Sequence, residues 1–154
     1  MRKQRVFLYR MEQRFTFSKQ EKLSGETVVT ELFLKGASFI AYPVRVVWTA
    51  SKAKEGPTLQ VLMSVPKKKL KHAVDRNRVK RLLREAYRLH KSELTALVVA
   101  QELQVRMAFV WIPSEVLGYD KVERKVLDAL TKMHKLLISE NIDGKMSIIT
   151  PDCD

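Results

Sequence analysis

Along this chain the spacing of hydrophobic positions switches repeatedly between helical and strand periods. Leu23, Val28, Val29, Leu32 and Phe33 recur at near-helical spacing ahead of Gly36, which predicts a helix from about Gly25 to Lys35. Val44, Val46 and Trp48 then alternate with Arg45, Val47 and Thr49 in "FIAYPVRVVWTAS", a strand period that leaves room for two short strands, with Pro43 confined to an edge or a bend. "KAKEGP" has the composition of a hairpin loop, and Leu59, Val61, Met63 and Val65 alternate after it, which predicts a strand returning antiparallel. A strongly basic helix follows and continues through "LTALVVAQEL". "VRMAFVWI" is apolar on both faces, as a central strand should be. Val122, Val126, Leu130, Met133 and Leu137 form the buried stripe of a last helix, and the pattern gives out from Ser139.

These elements predict an α+β fold, a small α/β sandwich with a mostly antiparallel sheet of about four strands and helices in the order α-β-β-β-α-β-α. No repeat, low-complexity segment or Gly/Ser-rich linker divides the chain. The expectation is a single domain over 1–154 with loose basic or polar termini at 1–13 and 140–154. At 154 residues the chain can bury a core without disulfides or metals. A hydrophobic content of 45% excludes a disordered tail, and apolar runs of a few residues exclude a membrane-spanning helix. "MRKQRVFLYR" has the charges of a signal peptide, but "VFLY" is too short for its apolar region, so no export is expected. A lone Cys153 offers no internal disulfide and no metal motif, which points to a reducing cytoplasm.

Charge changes the picture more than composition does. The net charge is +12, and between Pro66 and Lys91 eleven Lys and Arg face only Asp75 and Glu85, so nine of those charges sit in one segment. An anionic partner follows, nucleic acid or a membrane surface. With Arg76 at the origin, Lys80, Arg81, Arg84, Asn77, Arg88, Lys91 and Tyr87 fall within an arc of roughly 140° at 100° per residue. Val79, Leu82, Leu83, Ala86 and Leu89 take the opposite side. Arg76, Lys80, Arg84 and Arg88 form three like-charge i,i+4 pairs, each destabilising by about 0.2–0.5 kcal/mol. A face kept for solubility would interleave acids. Phosphates would neutralise the stripe and release counterions. The opposite face is aliphatic and needed by the sheet, which disfavours a membrane. No second short helix and tight turn are placed for a DNA-reading helix-turn-helix. Asp75 stands where an N-cap would.

Self-contained catalysis has no visible machinery. HExxH, GxSxG, P-loop and DxD patterns are absent. His72 and His90 lie in or beside the basic helix, His134 lies near an apolar stripe, and none has a carboxylate partner nearby in sequence. Three classes stay open on the residues alone: the subunit of a ribonucleoprotein enzyme, a non-catalytic RNA-binding or ribosome-associated protein, and a protein-only nuclease. For Phe33 and Trp48 both a core position and a base-stacking surface are open.

The stretch "SVPKKKLKHAVDRNRVKRLLREAYR" resembles the signature of the bacterial ribonuclease P protein component, with weaker likeness in "RFTFSKQEKL" and "ELFLKGASF", over roughly Arg14 to Leu137. The resemblance implies an endoribonuclease subunit, a monomer apart from RNA, that joins a large catalytic RNA. That RNA's own magnesium ions would hydrolyse the bond freeing the 5′ leader of precursor tRNA, with no magnesium held tightly by the protein and neither membrane nor DNA as partner. It assigns Arg76, Asn77, Arg78, Lys80, Arg81 and Arg84 to the face toward the RNA subunit. Lys67 and Lys68 join that face as a basic pair beside the helix, and Lys71 and Arg88 extend it. Phe33 matches a leader-cleft residue, and Trp48 is a further sheet candidate for the leader. The family's uncommon left-handed crossover between parallel strands is implied around the basic helix. An extra Lys in "KKK" suggests a local insertion, and Val29, where an aromatic is frequent, suggests a less aromatic cleft.

Overall fold

The computed structural model describes residues 17, 19–52 and 58–142. Helix α1 (Glu26–Lys35) leads through Gly36 into β1 (Ala37–Ala41) and β2 (Val44–Lys52). Strand β3 (Leu59–Ser64) precedes α2 (Ala73–His90) and α3 (Ser92–Ala100), and β4 (Leu103–Trp111) precedes the long α4 (Tyr119–Ile142). The α+β sandwich is as predicted, with the two short strands divided at the turn containing Pro43. Residues 140–142, expected to be loose, continue α4. The termini 1–13 and 143–154 and most of the "KAKEGP" loop lie outside the described residues.

One pairing differs from the sequence reading. The sheet order is β1-β2-β4-β3, with β1–β2 and β2–β4 antiparallel and β3–β4 parallel. Strand β3 therefore does not return beside β2 as a hairpin. Strand β4, apolar on both faces, takes the central place between them and leaves β3 to be reached by the α2–α3 crossover. The physical reason is burial: a strand with two apolar faces gains most where neighbours and layers cover it on every side. The outer side of β3 carries a short parallel addition, because Leu23 N–H donates to Val61 O at 3.0 Å and Val61 N–H donates to Glu21 O at 2.7 Å.

The two faces of the sheet are covered unequally. Val44, Val46, Trp48, Leu59, Val61, Met63, Val105, Met107, Phe109 and Trp111 share a core with the inner stripes of α2, α3 and α4. The opposite face holds a smaller cluster, in which Leu23 and Leu32 cover Val47 and Ala108 with Val28, Val29 and Leu62 at its margin. Helix α1 is the cover on that side, and the outward positions Arg45 and Ile40 remain exposed.

Gly36 lets α1 end directly against the sheet. Its N–H bonds Leu32 O at 2.8 Å, and a Cβ there would stand 2.8 Å from Val47 Cγ1 and 3.1 Å from Trp48 O. Gly36→Ala should therefore lower stability by about 1–3 kcal/mol, the usual cost of overpacking. Thermal or urea melting measures this, and an unchanged midpoint would show that the contact relaxes freely.

Candidate nucleic-acid interface

The basic segment is built in two parts, a turn and a helix. Lys69 and Leu70 N–H groups both donate to Pro66 O, and Leu70 is buried, which leaves Lys67, Lys68, Lys69 and Lys71 exposed around it. Arg76, on the first turns of α2, reaches back so that its Nη1 donates to Leu70 O at 2.9 Å and Lys71 O at 2.8 Å. The lysine turn is thereby fastened to the helix. The helix begins at Ala73 with His72 at the N-cap and no side-chain capping bond. Asp75 is thus not the cap but a residue of the first turn, where its charge favours the positive end of the helix.

The rotation of α2 differs from the sequence reading by roughly 40° at 100° per residue. Val79, Leu83, Ala86 and Tyr87 are buried, while Leu82 and Leu89 are only half-buried. Tyr87, placed by periodicity among the cations, lies edge-on to Phe17 at 5.7 Å and to Phe109 at 6.2 Å. Lys91, also placed on that arc, is buried past the helix end, with Nζ 2.5 Å from Glu21 Oε2. Large aromatic burial outweighs the preference of a local arc. The outward face consists of Val74, Asn77, Arg78, Arg81 and Arg84, with Lys80 half-buried at its side. Arg78, outside the predicted arc, belongs to this face. Val74 is 78% exposed among these cations.

Three further members of the stripe have internal partners, among them Arg84, whose Nε donates to Lys80 O at 3.3 Å. Arg88 donates from Nη2 and Nε to the two carboxylate oxygens of Glu85, at 2.5 and 3.2 Å. These bonds hold the Glu85 carboxyl below the usual carboxylate range against the opposing effect of burial, and raise the Arg88 guanidinium. Arg76 is half-buried on the two carbonyls described above. The least committed cations are then Arg78, Lys80 and Arg81 on the helix, with the exposed Arg84 beside them, and Lys67, Lys68, Lys69 and Lys71 on the turn.

Around the end of α2, His90 Nε2 lies 3.3 Å from Glu123 Oε1. Burial pushes the nearby Tyr119 hydroxyl up to about 12, and the neighbouring Glu123 carboxylate adds to the shift. Partners such as Glu123 for His90 and Glu21 for Lys91 come from distant elements, and no local spacing announces them. An aromatic on a cationic arc was a usable signal, since Tyr87 is the residue that marks the true inward side.

On the other sheet face the two leader candidates separate. Trp48 is 4% exposed and belongs to the core between sheet and helices, so it offers no stacking surface. Its strand alternates, and Val47, not Trp48, points toward α1. Phe33 is 44% exposed and lies in neither core cluster. It follows Leu32 on α1 and stands at the edge of the covered stripe. Leu34, Ile40 and Tyr42 are also exposed close by in sequence, and Arg45 Nη2 donates to Ser38 Oγ at 3.3 Å. Among the described residues no group of three or more His, Cys, Asp or Glu could hold a metal ion. No helix among them is long and apolar enough to cross a membrane.

These features coincide with a known family. A family model described as Ribonuclease P matches residues 17–134. The ribonuclease P protein component of Porphyromonas gingivalis is 35% identical over 119 residues, covering 77% of this chain and 87% of that protein. That of Chlorobium phaeobacteroides is 43% identical over 82 residues, covering 51% of this chain and 56% of that one. Among solved structures, the Staphylococcus aureus RNase P protein superposes with a TM-score of 0.59 at 24% identity, over 76% of this chain and 97% of that one, which supports the fold. With the lysine turn, the arginine-asparagine-arginine helix and the family match all falling in the same residues, the chain belongs to the ribonuclease P protein family.

Proposed function

We propose that this chain is the protein subunit of a ribonuclease P ribonucleoprotein, in which a partner RNA carries out the hydrolysis and the protein binds that RNA and the 5′ leader of precursor tRNA. The observation that carries the reading is the outward face of α2 together with the lysine turn, a cationic surface that the fold holds in place and leaves largely without acids. Arg78, Arg81 and Arg84 present planar forks suited to phosphate, and Lys67, Lys68, Lys71 and Lys80 add point charges. Asn77 lies on the same exposed face and can both donate and accept, which a phosphate contact does not require but a ribose or base edge can use. Arg76 acts by holding the lysine turn against the helix, and Arg88 lies at the rim with Glu85.

Magnesium ions are the cofactor this reading implies, and among the described residues no group of three or more His, Cys, Asp or Glu stands together. In this reading the ions belong to the RNA. The protein's part is to neutralise phosphate repulsion and to orient the leader. For the leader, Phe33 at the edge of α1 offers a stacking ring, and the exposed Arg45 lies on the sheet face that α1 leaves open.

Nuclease-free protein should leave precursor tRNA uncut even with magnesium, and the cognate catalytic RNA should restore cleavage at the leader junction. Metal-dependent cleavage by the protein alone would overturn the reading. RNA binding without any gain in cleavage would favour a non-catalytic RNA-binding role.

Arg84→Glu gives up the bond from Arg84 Nε to Lys80 O and turns the repulsive i,i+4 pair with Lys80 into an attractive one, worth about 0.2–0.5 kcal/mol. Its melting temperature should stay level or rise while affinity for the catalytic RNA falls. The plot of log affinity against log salt should lose slope by about one charge contact. A collapsed melt with intact RNA affinity would make the stripe structural.

Phe33→Ala should weaken binding of precursor tRNA to the holoenzyme by roughly 1–3 kcal/mol per lost base stack. Mature tRNA should bind as before, and the melting temperature should barely change because the ring is already exposed. Equal weakening of both RNAs would remove Phe33 from the leader surface.

A further inference from the structure

Glu21 and Lys91, seventy residues apart, form the most deeply buried ion pair among the described residues. The Lys91 side chain is 3% exposed and that of Glu21 16%, with 2.5 Å between Nζ and Oε2. The Lys91 ammonium also lies 5.9 Å from the centre of the Tyr87 ring. A buried pair is a poor way to add stability, because desolvating two charges offsets most of their attraction. What it does supply is direction: each charge must sit where the other is.

The two ends of this pair adjoin the segments that carry the two proposed RNA surfaces. Glu21 is fastened to the sheet, since its carbonyl accepts from Val61 N–H, and two residues later Leu23 N–H bonds Val61 O. The chain then passes Gly25 into α1, which carries the exposed Phe33. Lys91 is the residue between α2 and α3, one position beyond the last residue of the cationic helix. Its carbonyl accepts from Thr95 N–H and Thr95 Oγ1, both at 2.9 Å, so its backbone is fixed as well. Gln60 Nε2 reaches Gln20 O at 3.4 Å on the sheet side of the same strip.

We propose that Glu21 and Lys91 are positioning residues that set the leader surface of α1 against the RNA-facing helix α2, so that one protein can hold the catalytic RNA and the leader in register. The inference rests on the function proposed above. It assigns Lys91, a member of the basic segment, to the inside of the protein and not to the RNA contact. It also gives a role to the strip 19–23, which neither RNA surface uses directly.

The test compares Glu21→Gln, Lys91→Met and the exchanged pair Glu21→Lys with Lys91→Glu in reconstituted holoenzyme. Three quantities are measured: the melting temperature, affinity for the catalytic RNA, and the ratio of affinities for precursor tRNA with a leader of several nucleotides and for mature tRNA. In both single variants the leader preference should fall roughly fivefold or more, the low end of coupling between two sites, while catalytic-RNA affinity stays near wild type. The two substitutions change net charge in opposite senses, so a shared loss cannot come from the protein's overall field. The exchanged pair should recover part of the preference. If the single variants do not fold, Glu21→Asp, which keeps the charge and withdraws it by one methylene, should show the same loss in folded protein. An unchanged ratio in any folded variant, or equal weakening of both RNAs, overturns the positioning role. A wild-type holoenzyme with no leader preference overturns the leader reading itself, and this inference with it.

Discussion

Tyr87 lies edge-on to Phe17 and Phe109, and its burial fixes the rotation of α2 about its own axis. From that one constraint the orientation of the basic segment follows. With Tyr87, Val79, Leu83 and Ala86 turned inward, the positions left facing out are Asn77, Arg78, Arg81 and Arg84. Burying the larger of those side chains contributes about 1.5–3 kcal/mol each. The repulsion among neighbouring cations costs a few tenths of a kcal/mol per pair, so packing wins and the helix can carry a face that would not be stable in isolation.

The same comparison explains how so many cations fit in one segment. Besides Arg84, whose Nε donates to Lys80 O, three of them are used within the fold: Arg76 on the carbonyls of Leu70 and Lys71, Arg88 on Glu85, and Lys91 on Glu21. Each is taken out of the repulsive set by a partner, and two of the three join α2 to a segment outside it. The remaining arginines and lysines are concentrated on the outward face and the lysine turn. A run that looks uniform in sequence is therefore divided between internal fastening and an exposed cationic face.

Much of the architecture was legible because periodicity records burial directly. The stripe of α4 from Val122 to Leu137 is buried at every named position, α1 ends at Gly36, and β4 is central as its two apolar faces require. The errors share a cause. Strand adjacency depends on which partner covers β3, and a short loop such as "KAKEGP" suggests a hairpin whether or not the central place is already wanted by β4. Helix rotation depends on a few large side chains, so an arc drawn from charges alone misplaced Tyr87 and Lys91 and missed Arg78. Trp48 and Val47 are neighbours on one strand, and alternation says that they face opposite ways without saying which face is thinly covered. Asp75 has the right chemistry for a cap, but the helix starts two residues earlier.

The unequal cover of the sheet gives the fold its division of labour. Three helices seal one face into the main core, and their outer layer carries the cationic surface of α2. One helix seals only the middle of the other face, through Leu32 on Val47 and Ala108, and leaves Phe33 and Ile40 exposed at its margins. A ring and a guanidinium on a thinly covered sheet suit an unpaired strand, which has bases to stack. A rigid helix face with forked cations suits a structured RNA, whose phosphates are fixed in space. Both surfaces adjoin the strip from Glu21 to Leu23, which is bonded to β3, leads to α1, and meets Lys91 just past the end of α2. On the function proposed above, the protein would aid catalysis by position alone, because holding two RNAs in fixed relation converts an encounter into a positioned reaction.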